Sequence, residues 1–342
     1  MRVALYYSNR DVRVQEAPVP KIGPEEVLMR IEASGICGSD VMEWYRKDRV
    51  PLVLGHEVAG TIVDAGREVK KYRAGQRIAV AHHVPCNTCY YCLNGHHTAC
   101  NTLRSTNFDP GGFAEFVRLP AINVDRGIFP LPDDVSFEEA TFVEPLACVL
   151  RAQRQAGLRP GASVLVIGSG IAGLLHIHVA RALGAGMIAA TDISSYRLEM
   201  AKRFGADLAI NAREDVPAAV SQLNGGRLAD FVIVCAGALP AVGQALKSVE
   251  RGGAVLLFAP TGPGEVVPLS INDFFWRNDV TLTTSYAGSP ADYSAALDLI
   301  HARRVDAAKM ITHRLPMAEI GTGFRLVAEA GESIKVIIEP QR

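Results

Sequence analysis

The chain is short of several things, and each shortage closes a class of function. Net charge is nearly absent: 35 Lys and Arg against 36 Asp and Glu leave −1 at pH 7. No global basic field is on offer to nucleic acid or to an anionic membrane. Long unbroken apolar runs are missing too. The most apolar stretch, ASVLVIGSGIAGLLHIHVARALGAG (162–186), is interrupted by glycines, two histidines and an arginine. A membrane span is therefore not expected. The opening MRVALYYSNRDVRV has no basic segment followed by an apolar run, so no secretory signal is expected and the cytoplasm is the expected location. No repeat or low-complexity run occurs. What is present is globular: 342 residues, 49% hydrophobic and 21% charged, enough for two domains with cores of their own.

The texture of the chain changes near Ala147. Before it, short β-like runs alternate with Gly and Pro, as in EVLMRIEASGI, EVAGTIVDAG and QRIAVAHHV. This predicts a compact, mostly β domain. After it, ACVLRAQRQAG predicts a helix stopped at Gly157. Six apolar or β-branched runs follow: Ser163–Ile167, Met187–Thr191, Leu208–Ile210, Phe231–Cys235, Ala254–Phe258 and Thr281–Thr284, several separated by helical stretches. Such alternation predicts an α/β domain with a six-stranded parallel sheet covered on both faces. Beyond Tyr286 come a further helix, PADYSAALDLIHARR, and an apolar strand, IKVIIE. This tail is expected to return to the first domain.

The first predicted strand of the α/β domain runs into Gly168-x-Gly170-x-x-Gly173, with Ile171 and Ala172 opening the helix. Three glycines at this spacing are weak evidence alone. Between a strand and a helix they allow a tight turn, close approach of a pyrophosphate and close helix–strand packing. The helix N-terminus then presents free N–H groups to phosphate. Asp192 lies nineteen residues past Gly173, at the end of the next predicted strand. A carboxylate there accepts hydrogen bonds from ribose hydroxyls and repels a 2′-phosphate, so NAD is expected rather than NADP. Arg197 can lie against the adenosine and weaken that preference.

Cysteine is scarce as well. Of seven, four crowd into CNTCYYCLNGHHTAC, as Cys86, Cys89, Cys92 and Cys100. In a reducing compartment clustered thiols are metal ligands before they are disulfides. Four thiolates give zinc a closed tetrahedral shell with no position left for substrate, which predicts a structural site. An iron–sulfur cluster or disulfides are the alternatives. His82, His83, His96 and His97 flank the loop and read as solvated surface.

The stretches GICGSD and LGHEVAG, the four-cysteine lobe and the downstream GSGIAG together resemble the zinc-dependent medium-chain alcohol dehydrogenase family, in order and over nearly the whole chain. The resemblance implies a GroES-like catalytic domain (1–147 and 286–342, lobe 86–100) interrupted by a Rossmann NAD-binding domain (148–285). It implies two zinc ions per chain. It carries ligand roles for a catalytic zinc onto Cys37 and His56, with Glu57 as a direct or exchangeable neighbour of the metal. At the place of the family's second cysteine stands FVEPLACVL, which presents Glu144, with Cys148 the competing candidate. A Cys–His–Glu set is similar to the sorbitol, other polyol and threonine dehydrogenase branch. Ser39 matches the relay hydroxyl of the family. The next relay position, often histidine, is Met42 here, which carries no proton, so the relay stops at the ribose, runs through water or uses another group such as Glu43.

The implied activity is hydride transfer between a secondary alcohol and NAD, with zinc as Lewis acid. The oxygen-rich ligand set favours a polyol, sugar or cyclitol. Threonine or a simple alcohol is the alternative substrate. Trp44, Tyr45, Arg46, Phe113 and Tyr286 are candidate pocket residues. The rival classes are a zinc-lobed binding protein without catalysis and a zinc-free reductase. The family further implies a homotetramer or homodimer, with Phe274, Phe275 and Trp276 in the contact. No nucleic-acid or membrane partner is expected.

Overall fold

A computed structural model describes every residue from Met1 to Arg342. The chain divides into two compact units, Met1–Ala147 with Ala287–Arg342 and Cys148–Tyr286. The chain re-enters the first unit between Tyr286 and Ala287.

The first unit opens with β1 (Arg2–Ser8), β2 (Asp11–Glu16), β3 (Val27–Gly35), β4 (Leu52–Val53), β5 (Glu57–Ala65), β6 (Arg77–Val80), β7 (Phe116–Leu119) and β8 (Ile128–Pro130). The second unit holds β9 (Val164–Ile167), β10 (Ile188–Asp192), β11 (Leu208–Asn211), β12 (Ala229–Val234), β13 (Val249–Leu257) and β14 (Thr281–Thr284). The returning segment adds β15 (Ile311–Pro316) and β16 (Lys335–Glu339) to the first unit.

The main sheet of the first unit runs β15-β16-β3-β5-β6-β8, with β7 also paired to β3. Alternation explains its core. Val27, Met29 and Ile31 of β3 are fully buried while Arg30 is exposed, the period of two that a half-buried strand requires. These side chains pack on Val58, Ile62, Ile78, Val80 and Val117. The alternation ends at Ala33, Ser34 and Gly35, all buried, so the end of β3 is covered on both faces. A second cluster joins Tyr6, Ile36 and Phe324 with Val336 and Ile338 of the returning strand. Phe113 belongs to this cluster, 1% exposed with its ring 5.6 Å from that of Phe324. It is core and not a pocket residue, contrary to the expectation from sequence.

In the second unit all six strands are parallel, in the order β11-β10-β9-β12-β13-β14. Counted from β9 this is 3-2-1-4-5-6, the doubly wound Rossmann order, which reverses between β9 and β12. Every residue of β9 and β10 is buried, because helices between successive strands cover both faces. The expected runs survive with shifted ends: the fifth strand starts at Val249 rather than Ala254. No helix is long and apolar enough to cross a membrane.

Candidate active site

Register brings the first group of ligands together. β3 and β5 are antiparallel neighbours with Gly35 opposite Glu57. Cys37 lies two residues beyond Gly35 and His56 one before Glu57, so both emerge at the same end of the strand pair. The ligand atoms of Cys37, His56 and Glu57 all lie within 4.8 Å of one another. Asp40, fully buried, braces them. Its Oδ2 accepts the Cys37 N–H at 3.0 Å, and its Oδ1 lies 3.4 Å from His56 Nδ1. That contact sets a carboxylate beside the ring, the outer-shell companion that a metal-binding imidazole usually has. Ser39 donates to Cys37 Sγ through both N–H and Oγ, each at 3.4 Å.

The electrostatics match this reading. Burial works against a charged His56, yet the negative charges of Asp40 and Cys37 overcome it and raise the imidazole well above its ordinary value. Burial likewise disfavours a charged Asp40, but His56, the Cys37 N–H and Arg46 hold it below its ordinary value.

Glu144 is buried at 7% in the first turn of the helix Val143–Gln155 and is not part of the convergent group. Cys148, one turn on, is half-buried and also outside it. Met42 precedes the short helix Glu43–Arg46, and Glu43 is engaged by the Asn9 N–H at 2.8 Å. Trp44 and Tyr45 are exposed.

The second group is Cys86, Cys89, Cys92 and Cys100, whose sulfurs converge within 4.8 Å. Measured S···S separations are 3.6 Å for Cys89–Cys92, 3.6 Å for Cys86–Cys100 and 4.0 Å for Cys86–Cys92. Four thiolates at the ordinary Zn–S length of 2.3 Å stand about 3.8 Å apart at tetrahedral corners, so the spacing fits zinc. All seven cysteines of the chain are free thiols. The Cys86 and Cys89 N–H groups donate to Cys100 and Cys86 sulfurs at 3.4 and 3.3 Å. Donation from Thr88 and Cys89 draws the Cys86 thiol down to about 5, while burial pushes Cys92 up to about 12. The lobe has scant apolar support of its own, with Leu103 and Ala287 the buried side chains that join the cysteines.

The third group lies in the second unit. β9 turns at Gly168, which has φ +94°, into the helix Ile171–Ala182 capped by Gly170. Any Cβ on Gly173 would overlap the Gly168 carbonyl oxygen, so only glycine lets helix and strand approach this closely. At Gly170 a Cβ would meet only the Arg197 guanidinium, at 3.9 Å, which leaves a cradle over the helix N-terminus beside a cation. Asp192 ends β10, where its Oδ2 accepts the Ser169 N–H and its Oδ1 the Ser194 N–H, both at 2.9 Å. It therefore locks the glycine loop.

The family model of the alcohol dehydrogenase GroES-like domain matches residues 23–133, and that of the zinc-binding dehydrogenase matches residues 172–302. A sorbitol dehydrogenase of Bacillus subtilis is 30% identical, covering 100% of this chain and 98% of the relative. An L-threonine 3-dehydrogenase of Bacillus velezensis is 33% identical over 96% of this chain and 95% of its own. The chain belongs to the zinc-dependent alcohol dehydrogenase family. Among solved structures, galactitol-1-phosphate dehydrogenase from Escherichia coli superposes with a TM-score of 0.87 at 30% identity, covering 99% of this chain and 100% of the other.

Zinc and a nicotinamide nucleotide are the family's cofactors, and both donor sets of this dehydrogenase suit the metal: soft thiolates alone in the lobe, mixed S, N and O around Cys37. Besides Phe113, four residues of the dehydrogenase escape the reading of the sequence: His82, His83, Asp40 and Lys335. His82 is not surface: its ring lies 4.8 Å from that of His56 and 3.9 Å from that of His83. Burial pushes the His82 imidazole well below its ordinary value and His83 to about 4. A signal existed, since the apolar run of β6 continues through Ala81 into His82. Asp40 lies within GICGSD, where the sequence assigns it no role. Lys335, which pairs with Glu57, gave no signal at all.

Proposed function

We propose that this dehydrogenase oxidises a secondary alcohol of a polyol, sugar or cyclitol, with NAD as acceptor. The convergence of Cys37, His56 and Glu57 within 4.8 Å beside the Ser39 hydroxyl carries the reading. Cys37 and His56 would hold the catalytic zinc with Glu57 exchangeable beside it, Glu144, which lies outside their group, being the further ligand that the family resemblance supplies, and Cys86, Cys89, Cys92 and Cys100 would hold the structural one. When bound, zinc supplies a Lewis acid that makes a hydroxyl acidic and the nicotinamide supplies the hydride acceptor. Asp40 holds His56 in the ligating tautomer. Ser39 Oγ would take the proton given up by the substrate while handing its own to the nicotinamide ribose or to water, since Met42 carries none. Gly170, Ile171, Ala172 and Arg197 receive the pyrophosphate and adenosine, and Asp192 accepts from the ribose.

The names and identities of the sorbitol dehydrogenase relatives support the polyol class. A second reading, oxidation of the threonine hydroxyl, draws on the relative at 33% identity. The test is a panel of polyols, sugars, cyclitols, threonine and simple alcohols, followed at the nicotinamide absorbance with NAD and NADP. Turnover of polyols with NAD preferred is the expected result. Turnover of threonine alone would give the second reading its place, and no turnover with metal-loaded protein would overturn both. Alanine at Ser39 is expected to lower alcohol oxidation about a hundredfold, the low end for a positioned proton-transfer group, with zinc content unchanged by metal analysis. A mutant at full rate would remove Ser39 from the reaction.

The free thiols suit a reducing cytoplasm. A homo-oligomer, dimer or tetramer, would form through the edge strand β14 and the segment before it, where Ile271 and Trp276 are each 64% exposed and Phe274 and Phe275 are partly buried.

A further inference from the structure

Three neighbouring strands of the first unit carry a buried ion pair that joins Glu57 of the ligand group to Lys335, a residue outside it. β16, β3 and β5 lie side by side, and their register sets both Ile337 and Glu57 opposite Gly35. Lys335 of β16 and Glu57 of β5 meet over Gly35 through Nζ and Oε2. Their side chains are 0% and 2% exposed. Lys335 Nζ also donates to the Ile36 carbonyl at 3.4 Å and lies 5.6 Å from the centre of the Phe142 ring. A Cβ at Gly35 would collide with Glu57 Oε2 and stand 2.7 Å from Lys335 Cε. Glycine at this position is what leaves room for the pair.

Glu57 thus faces two ways. One oxygen is held by Lys335, while the carboxylate still lies among the ligand atoms of Cys37 and His56. We infer that Lys335 is a positioning residue: it holds Glu57 in reserve beside the catalytic metal and so sets how fast that metal exchanges. The inference rests on the reading that Cys37 and His56 hold zinc. A carboxylate shared with a buried ammonium binds a second cation less well, and this keeps a position open for the substrate. A buried carboxylate stripped of its partner is left uncompensated. A metal held by Cys37 and His56 would offer the freed carboxylate a new partner, so loss of Lys335 is expected to make Glu57 a ligand rather than a reserve.

The experiment replaces Lys335 by methionine in the full-length protein. It follows zinc transfer to a chromophoric chelator and the visible spectrum of the cobalt-substituted form. The release phase that Cys37→Ser deletes is expected to slow about tenfold, the scale on which outer-shell partners alter metal affinity. The cobalt bands should weaken as coordination rises above four. Lys335→Arg, which keeps the cation, should restore both. If Lys335→Met does not fold, the double variant with Glu57→Gln removes both charges and is read in the same assay. It lacks the reserve ligand and should show no slowing. Release as fast as wild type or faster in Lys335→Met, with an unchanged cobalt spectrum, overturns the inference. So does equal slowing in Lys335→Arg or in the double variant. A wild-type chain that takes up only the metal of the four cysteines overturns the zinc reading and this inference together, and metal content tells that result from the others.

Discussion

Serine at Cys37 is expected to lower kcat by at least about a thousandfold, because metal Lewis acidity is worth several kcal/mol and each 1.36 kcal/mol is a factor of ten. The loss should come with a fall in bound zinc from two per chain to one. Cys37 follows the last buried residues of β3, and its neighbours Ser39 and Asp40 contact it through backbone or sulfur. The fold does not depend on it, so the thermal transition should move by only a few degrees. Steady-state rates, metal analysis and calorimetry on one preparation separate these effects. A serine variant that keeps wild-type turnover would sink the catalytic assignment.

The second large effect concerns stability. Serine at Cys92 is expected to lower the transition temperature of the first unit by about 10 °C or more. In isolated zinc modules a structural site supplies roughly 10–16 kcal/mol, whereas one buried leucine supplies about 1.5–3 kcal/mol. The lobe buries Leu103 and little else, and it leaves Tyr90 and Leu93 each 75% exposed. Nothing else of comparable size holds it. Losing even about 5 kcal/mol shifts a domain of 150–250 residues by about 10–20 °C. Cleavage by a dilute protease should fall first between residues 86 and 105. A variant melting within 2 °C of the wild type, with the lobe still resistant, would show the metal to be dispensable there.

What could be read from the sequence is what lies close along the chain. The glycine loop and the four-cysteine lobe each fit within a short window, so their spacing and immediate context narrow what they can bind. Cys37 and His56 are further apart, and their motifs carried them through resemblance. The residues that escaped are those whose meaning depends on distant partners. Lys335 reads as one polar residue opening an apolar strand, and its partner is 278 residues away. His82 and His83 border a polar lobe and look solvated, but they follow the buried end of β6 and Ala81 and pack on each other, His82 also lying beside His56. Phe113 is a candidate pocket residue by sequence, whereas the fold packs it against Phe324 in the cluster that also holds Tyr6. Long-range strand pairing decides each case, and no local pattern announces it.

The place of β16 in chain order has a consequence for biosynthesis. This strand lies between β15 and β3 in the main sheet of the first unit, yet it is made only after the whole of the second unit. During translation the nucleotide-binding unit can close while the amino-terminal half is still waiting for its missing strand. Domains that emerge complete fold as units, so the order of maturation here runs from the middle of the chain outward. A ribosome that stalls before Lys335 would release a protein with a finished centre and an unfinished beginning, open to chaperones and to premature capture of metal by exposed thiols.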